Sequence, residues 1–300
     1  MIAMLTQIFV RRYAHKQALL IIFLASALWG VLWVPMRHIE GYGLSGLWVV
    51  TLFHLLPSLA ILPFIVKAYF ADRAHWLVSI IAGGLMGLGF VLYGLGLVVA
   101  SVTKTTVLFY VTPVWATLFA YIFLAERVGF GRWLAITGGL FGCMLVMRVN
   151  PLSFAYDTAD LLGLIAGISW ALGSVVIRRY PRANFLHITF MQYFIGVLLA
   201  GGAAIYIGDA VPTTKMLVAA LPVAALASTV VFLPSVLLVF RIMQYVSPGL
   251  VGILMLSEVL VAALSSWLFL GEALTVWQWA GVVAILGTGV FVGLTEKSDD

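Results

Sequence analysis

Ten apolar runs of about 18–24 residues follow one another along this 300-residue chain, each long enough to cross about 30 Å of hydrocarbon as a helix. They fall near 17–36, 46–66, 76–98, 103–124, 131–148, 160–178, 186–207, 216–239, 248–269 and 275–294. Only 9% of the residues are charged, where a soluble domain carries about a quarter. The pattern therefore predicts an all-α integral membrane protein with ten transmembrane helices. Most connections are short, so consecutive helices run antiparallel. The lone cysteine, Cys143, lies within an apolar run and reads as a small packing residue.

The chain also repeats itself. Ser101–Leu140 aligns without a gap on Ser247–Leu286, with identities including Ser101/Ser247, Phe123/Phe269, Leu124/Leu270, Glu126/Glu272 and Trp133/Trp279. Each copy is an apolar helix, a Leu-x-Glu turn and a second apolar helix. Leu28-Trp29-Gly30 and Ser169-Trp170-Ala171 add a weaker match, each Trp standing eight residues before an arginine. Asn150-Pro151 and its neighbours separate five helices from five. The expected organisation is a segment 1–16, a first repeat 17–148, a linker 149–159, a second repeat 160–294 and a tail 295–300. Five is odd, so the repeats enter the bilayer from opposite sides, as halves of a transporter with its site between them.

Orientation follows from Lys and Arg. With the N-terminus inside, twelve lie in cytoplasmic segments and four, Arg37, Lys104, Arg148 and Lys215, in outer ones. This bias places both termini in the cytoplasm and the protein in the inner (plasma) membrane as a multi-pass protein. Ile2, Leu5, Ile8 and Phe9, followed by Arg11, Arg12 and Lys16, suggest a short interfacial helix ahead of the first span. The net charge of +5 is thus a topology signal; no basic stripe suits nucleic acid.

Two five-helix halves, each ending in a helix–(Leu-x-Glu)–helix unit, with Thr112-Pro113 thirteen residues before Glu126, resemble the drug/metabolite transporter superfamily, EamA type. The aromatic content resembles the YddG-type exporters of aromatic and other neutral amino acids. The resemblance implies a basket of helices 1–4 and 6–9 around a central cavity, with helices 5 and 10 outside as braces. Gly138/Gly142 and Gly289/Gly293 supply small pairs for close packing of those braces. Glu258-Val259 stands where the first half has Thr112-Pro113, so two equivalent proline kinks are not expected.

Candidate substrate-binding residues are the deep aromatics Trp29, Phe90, Tyr93, Tyr110, Trp115 and Trp170, with His54 and Glu258. Aromatic rings stack on planar solutes and attract cations. His54 and Glu258 are ionisable residues deep in predicted spans, where a charge is costly and marks function by default. Glu258 lies about eleven residues into helix 9 and replaces Thr112 of the first half. Pro57, Pro113 and Pro234 are candidate kinks for gating. The glycines of helix 3 (Gly83, Gly84, Gly87, Gly89, Gly94, Gly96) suit either tight packing or a thin cavity wall. Glu126 and Glu272 are read as complements to the dipoles of the helices that follow them, and Trp48, Trp76, Trp133, Trp277 and Trp279 as an interfacial belt.

The leading reading is a secondary transporter exporting small amphipathic metabolites, aromatic or other neutral amino acids among them, by alternating access. The alternative is a proton-coupled extruder of cationic compounds. A polytopic membrane enzyme is disfavoured, since no His-Glu-x-x-His, Cys/His cluster, Gly-x-Ser-x-Gly or Walker loop is present. No cofactor or metal is expected. The partners are a small-molecule substrate and the lipid bilayer, and the sequence, leaving the oligomeric state open, is compatible with a monomer.

Overall fold

The computed structural model describes residues 13–69, 75–100, 102–149, 157–271 and 273–296. Most of the 1–16 segment, most of the 149–159 linker and Glu272 lie outside the described residues. Among the described residues ten helical segments run in order, the first half holding α1 in two pieces (His15–Trp29 and Trp33–Glu40), α2 (Gly46–Tyr69), α3 (Trp76–Val99), α4 in two pieces (Val102–Phe109 and Thr112–Leu124) and α5 (Phe130–Val146). The second half holds α6 (Leu161–Arg179), α7 (Phe185–Tyr206), α8 (Thr214–Met243), α9 in two pieces (Pro248–Met255 and Ser257–Leu270) and α10 (Val276–Thr295). All but α5 are long and apolar enough to cross a membrane, and α5 is an apolar helix of 17 residues. The Asn184 side chain caps α7, and Thr275 and Gln278 form a capping box on α10.

The principal packing contacts run α1–α9–α4–α6–α3–α7–α2–α8 and back to α1. These eight helices close a ring, and every step crosses from one half of the chain to the other. α5 and α10 pair with each other outside the ring, chiefly against α9. This is the eight-helix basket with two braces. Gly142 and Gly281 make the brace contact: a Cβ on Gly281 would lie 2.6 Å from the Gly142 carbonyl oxygen. The pair expected on α10 does not serve, since Gly289 meets Phe23 and Gly293 has no atom within 4 Å of such a Cβ.

The glycines of α3 are explained by packing. Those at 83 and 87 admit the backbone of α7, and Gly89 admits that of α6 at Ala166. α3 is thereby sandwiched closely enough for its backbone to touch both neighbours. Gly30 plays the same part for α1 against α9. A Cβ there would fall 2.4 Å from the Glu258 carbonyl oxygen and 2.7 Å from the Ala262 nitrogen. Backbone atoms cannot rotate away. Gly30→Ala is expected to cost about 1–3 kcal/mol from overpacking, lowering the melting temperature in detergent. Gly202→Ala, with open space around it, is the control and should be neutral or stabilising. Equal melting temperatures for wild type and both variants would show that α1 and α9 are not so closely apposed.

Large apolar side chains such as Leu24, Phe64, Ile122, Phe141, Leu198 and Val290 are exposed, as lipid contact requires. Trp76, Trp133, Trp277 and Trp279 are exposed near helix ends. Trp48 is half-buried, with its indole nitrogen enclosed, and departs from the belt expected for it.

Candidate functional site

Among the described residues, three ring helices are interrupted partway along. α4 breaks at Tyr110–Val111, just before Pro113, and the Thr112 hydroxyl turns back to the Phe109 carbonyl. α9 breaks at Leu256, which is the repeat equivalent of Tyr110. The second break forms without a proline. Its backbone bonds shorten to the three-residue kind (Leu256 N–H to Ile253 O, 3.2 Å; Val259 N–H to Leu256 O, 3.1 Å). The fully buried Ser257 hydroxyl donates to the Phe23 carbonyl of α1 at 2.8 Å. Proline was the sequence signal for a kink, but here a tertiary hydrogen bond and close helix contact suffice. α1 breaks at Gly30–Leu32, and its Gly30 abuts Glu258.

Glu258 therefore stands in the first turn of a restarted helix, where the positive end of the helix dipole favours a carboxylate. The Tyr110 hydroxyl on α4 donates to it. Its chain neighbours Ser257 and Val259 are buried, whereas Glu258 is partly accessible. Tyr93 of α3 lies close enough to Glu258 for direct electrostatic interaction and hydrogen-bonds Thr106 at 3.2 Å.

The aromatic residues form two arms that meet on α3. One runs Tyr93–Phe109–Tyr110, with ring centroids 4.5 and 5.5 Å apart, and ends on Glu258. The other runs Phe90–His54–Tyr193, at 6.3 and 5.6 Å, with Trp29 edge-on to Phe90 at 6.1 Å. Phe90 and Tyr93 are three residues apart and share a helix face. The His54 Nδ1 lies 2.8 Å from the Val50 carbonyl and so carries the proton there. This leaves Nε2 an acceptor with no hydrogen-bond partner, and the ring is seated on Gly196, where a Cβ would come within 2.2 Å.

Five sequence candidates on α1, α3, α4 and α9 are thus brought together: Trp29, Phe90, Tyr93, Tyr110 and Glu258. His54 joins them through Phe90. Trp115 stands one turn beyond the α4 break, stacked on Phe119 at 6.1 Å. Trp170 is fully buried and packed on Gly89. Pro113 and Pro234 mark helix restarts, whereas Pro57 lies in an uninterrupted helix. Sequence reasoning missed Ser235 and Ser257. Serine in apolar spans was the available signal.

A second polar cluster ties the halves together at one end of the ring. Arg132, only 7% exposed, reaches Glu126 at 3.4 Å, Ser247 at 3.0 Å and Glu296 at 3.1 Å. Ser247 also donates to Glu126 at 2.5 Å, and Arg178 lies 3.9 Å from the same carboxylate. Glu126 precedes α5 by four residues, so its partners are these side chains and not the dipole it was expected to complement. At position 278, the repeat equivalent of Arg132, a glutamine bonds the Val146 carbonyl.

The family model for EamA-like transporters matches residues 16–148 and 157–294, one copy on each half. A riboflavin transporter of Rhizobium johnstonii is 27% identical over 71% of this chain and 68% of its own. The uncharacterized transporter YoaV of Bacillus subtilis is 27% identical over 63% and 67%. An S-adenosylmethionine uptake transporter of Rickettsia conorii is 28% identical over 41% and 42%. A crystal structure with 18% identity superposes with a TM-score of 0.71 over 93% of this chain and 97% of the other, and shows the same fold. With both halves matched, ten apolar helices and a ring assembled across the repeats, this multi-pass membrane chain belongs to the EamA-like transporter family.

Proposed function

We propose that the chain is a secondary transporter for small, ring-bearing amphipathic metabolites, which bind between α1, α3, α4 and α9 with a polar or positively charged group at Glu258. The observation that supports this reading most is Glu258 itself, an acid deep in the ring at paired helix breaks, at the end of an aromatic arm. Broken helices with termini facing a solute are how transporters bring backbone and charge to the middle of the bilayer. Aromatic amino acids fit this description, with an ammonium for Glu258 and a ring for the aromatic arms. So do the solutes in the relatives' names, since riboflavin carries a planar ring system and S-adenosylmethionine an adenine and positive charge. Export is the working direction from the exporter resemblance, although the Rickettsia relative is named for uptake.

Alternating access is the proposed mechanism. The Arg132 cluster holds one end of the ring shut, and must part when that end opens. A second reading, proton-coupled extrusion of cationic compounds, is favoured by the same carboxylate, which can hold either a proton or a cation. Purified protein in liposomes, assayed with labelled tryptophan, leucine, riboflavin and S-adenosylmethionine, tests both. Saturable flux of a ring-bearing solute supports the first reading. Flux of cationic dyes alone, driven by a pH gradient, supports the second. No flux of any of these, with correctly inserted protein, overturns both.

Orientation in the plasma membrane is tested by single cysteines in a Cys143→Ala background. The expected result is that Asp209→Cys reacts with an impermeant maleimide in intact cells, whereas Arg182→Cys reacts only after permeabilisation. Labelling of both from one side would overturn the arrangement with both termini inside.

A further inference from the structure

α8 does not run as a plain α-helix. Residues Ala225–Phe232 form a π-helical segment, with Pro222 before it and Pro234 just after. Wide turns of this kind are rare and recur beside functional sites. Three residues past its end stands Ser235, whose hydroxyl donates back to the Phe232 carbonyl at 2.6 Å. With its proton so committed, the oxygen presents its lone pairs to the other side. There it accepts the indole N–H of Trp29 at 2.8 Å, across 206 residues of sequence. Both side chains are buried, at 4% and 6% exposure.

Trp29 is the last residue before the break in α1, beside the Gly30 that touches Glu258. Its ring stands edge-on to Phe90. An unanchored indole at a helix break would have more than one rotamer open to it. The repeat partner, Trp170, shows the contrast: its indole N–H has no hydrogen-bond acceptor, and it is held by burial alone. Of the two repeated tryptophans, one is oriented by a hydrogen bond from the opposite half and the other is not.

We propose that Ser235 is a positioning residue for solute selection: it fixes the rotamer of Trp29, and through it the shape of the aromatic wall beside Glu258. This rests on the reading that a solute sits against that wall. Ser235 itself touches no solute in this scheme. Its part is to transmit the geometry of the wide turn of α8 to a ring on α1, and its removal should change which solutes are favoured more than how well the protein folds.

The test uses full-length protein labelled with 5-fluorotryptophan, and liposome transport of tryptophan and leucine as ring-bearing and aliphatic probes. In the fluorine NMR spectrum, the Trp29 resonance is assigned by its loss in Trp29→Phe. Ser235→Ala should broaden or split that resonance, and Ser235→Thr, which keeps the hydroxyl, should restore it. In transport, Ser235→Ala should weaken tryptophan relative to leucine by about fivefold, the scale of one ring contact. Trp29→Phe should give a similar ratio, and the double variant should be no worse than either single. An unchanged Trp29 resonance in Ser235→Ala overturns the proposal whatever is transported. A changed resonance with equal losses for both probes, or with additive losses in the double variant, overturns the role in selection. If wild-type protein moves neither probe while the resonance responds, it is the proposed substrate reading that fails, and selection by Ser235 fails with it, leaving only the tether.

Discussion

Glu258→Gln is expected to insert and purify like wild type but to lose about tenfold in affinity for a solute with an ammonium or N–H donor. The amide oxygen can still accept the Tyr110 hydroxyl, so the link between α4 and α9 survives. What is lost is the negative charge. A hydrogen bond to a charged group contributes about 1.5–3 kcal/mol, against about 1 for a neutral one, and each 1.4 kcal/mol is a factor of ten. The pH dependence of flux attributable to this carboxylate should vanish as well. Glu258→Thr, which copies Thr112 of the first half, should lose the Tyr110 link too, and with it some thermal stability. Binding is measured by concentration-dependent uptake into liposomes over a range of pH. Wild-type flux, affinity and pH profile in Glu258→Gln would reduce the residue to a packing role.

Arg132→Gln should have the other large effect. It copies Gln278, and so removes a charge that the second half lacks at the equivalent position. Removing one member of a buried ion pair costs about 3–5 kcal/mol, because its partner is left uncompensated. Glu126 and Glu296 are 13% and 21% exposed, so water offsets part of that, and about 2 kcal/mol is the expected effect. If the cluster holds its end of the ring shut, this energy shifts the balance towards opening there. A cysteine at Val251, fully buried on the first piece of α9, reports the shift. In a Cys143→Ala background its maleimide reaction should quicken by about thirtyfold, the factor that 2 kcal/mol implies. An unchanged rate would confine Arg132 to joining α10 to α5.

The ten helices and their repeat were legible because a bilayer imposes length and hydrophobicity on every span. The breaks were legible only where proline made them. Pro113 announced the one in α4, but the break at Leu256 depends on Ser257 reaching Phe23, more than 230 residues away in sequence. Nor could the chain show which rings turn inward. Trp29 and Trp170 are equivalent in the repeat, yet one is bonded to α8 and the other is sealed against Gly89. The α3 glycines were ambiguous for a related reason: composition shows that a backbone is bare, but only packing shows what lies against it. Glu258 stood out because an acid in an apolar run needs a local reason, whereas Arg132 lay near a helix end and gave no comparable signal.

The order of helices around the ring bears on how the protein is made. Every neighbour in the circle α1–α9–α4–α6–α3–α7–α2–α8 comes from the other half of the chain. When translation has delivered α1 to α5 to the bilayer, none of the ring's principal contacts exists. The first half is therefore expected to wait as loosely associated helices until the second inserts between them. Synthesised alone, either half should be prey to membrane proteases; synthesised together as separate chains, they should find each other and persist.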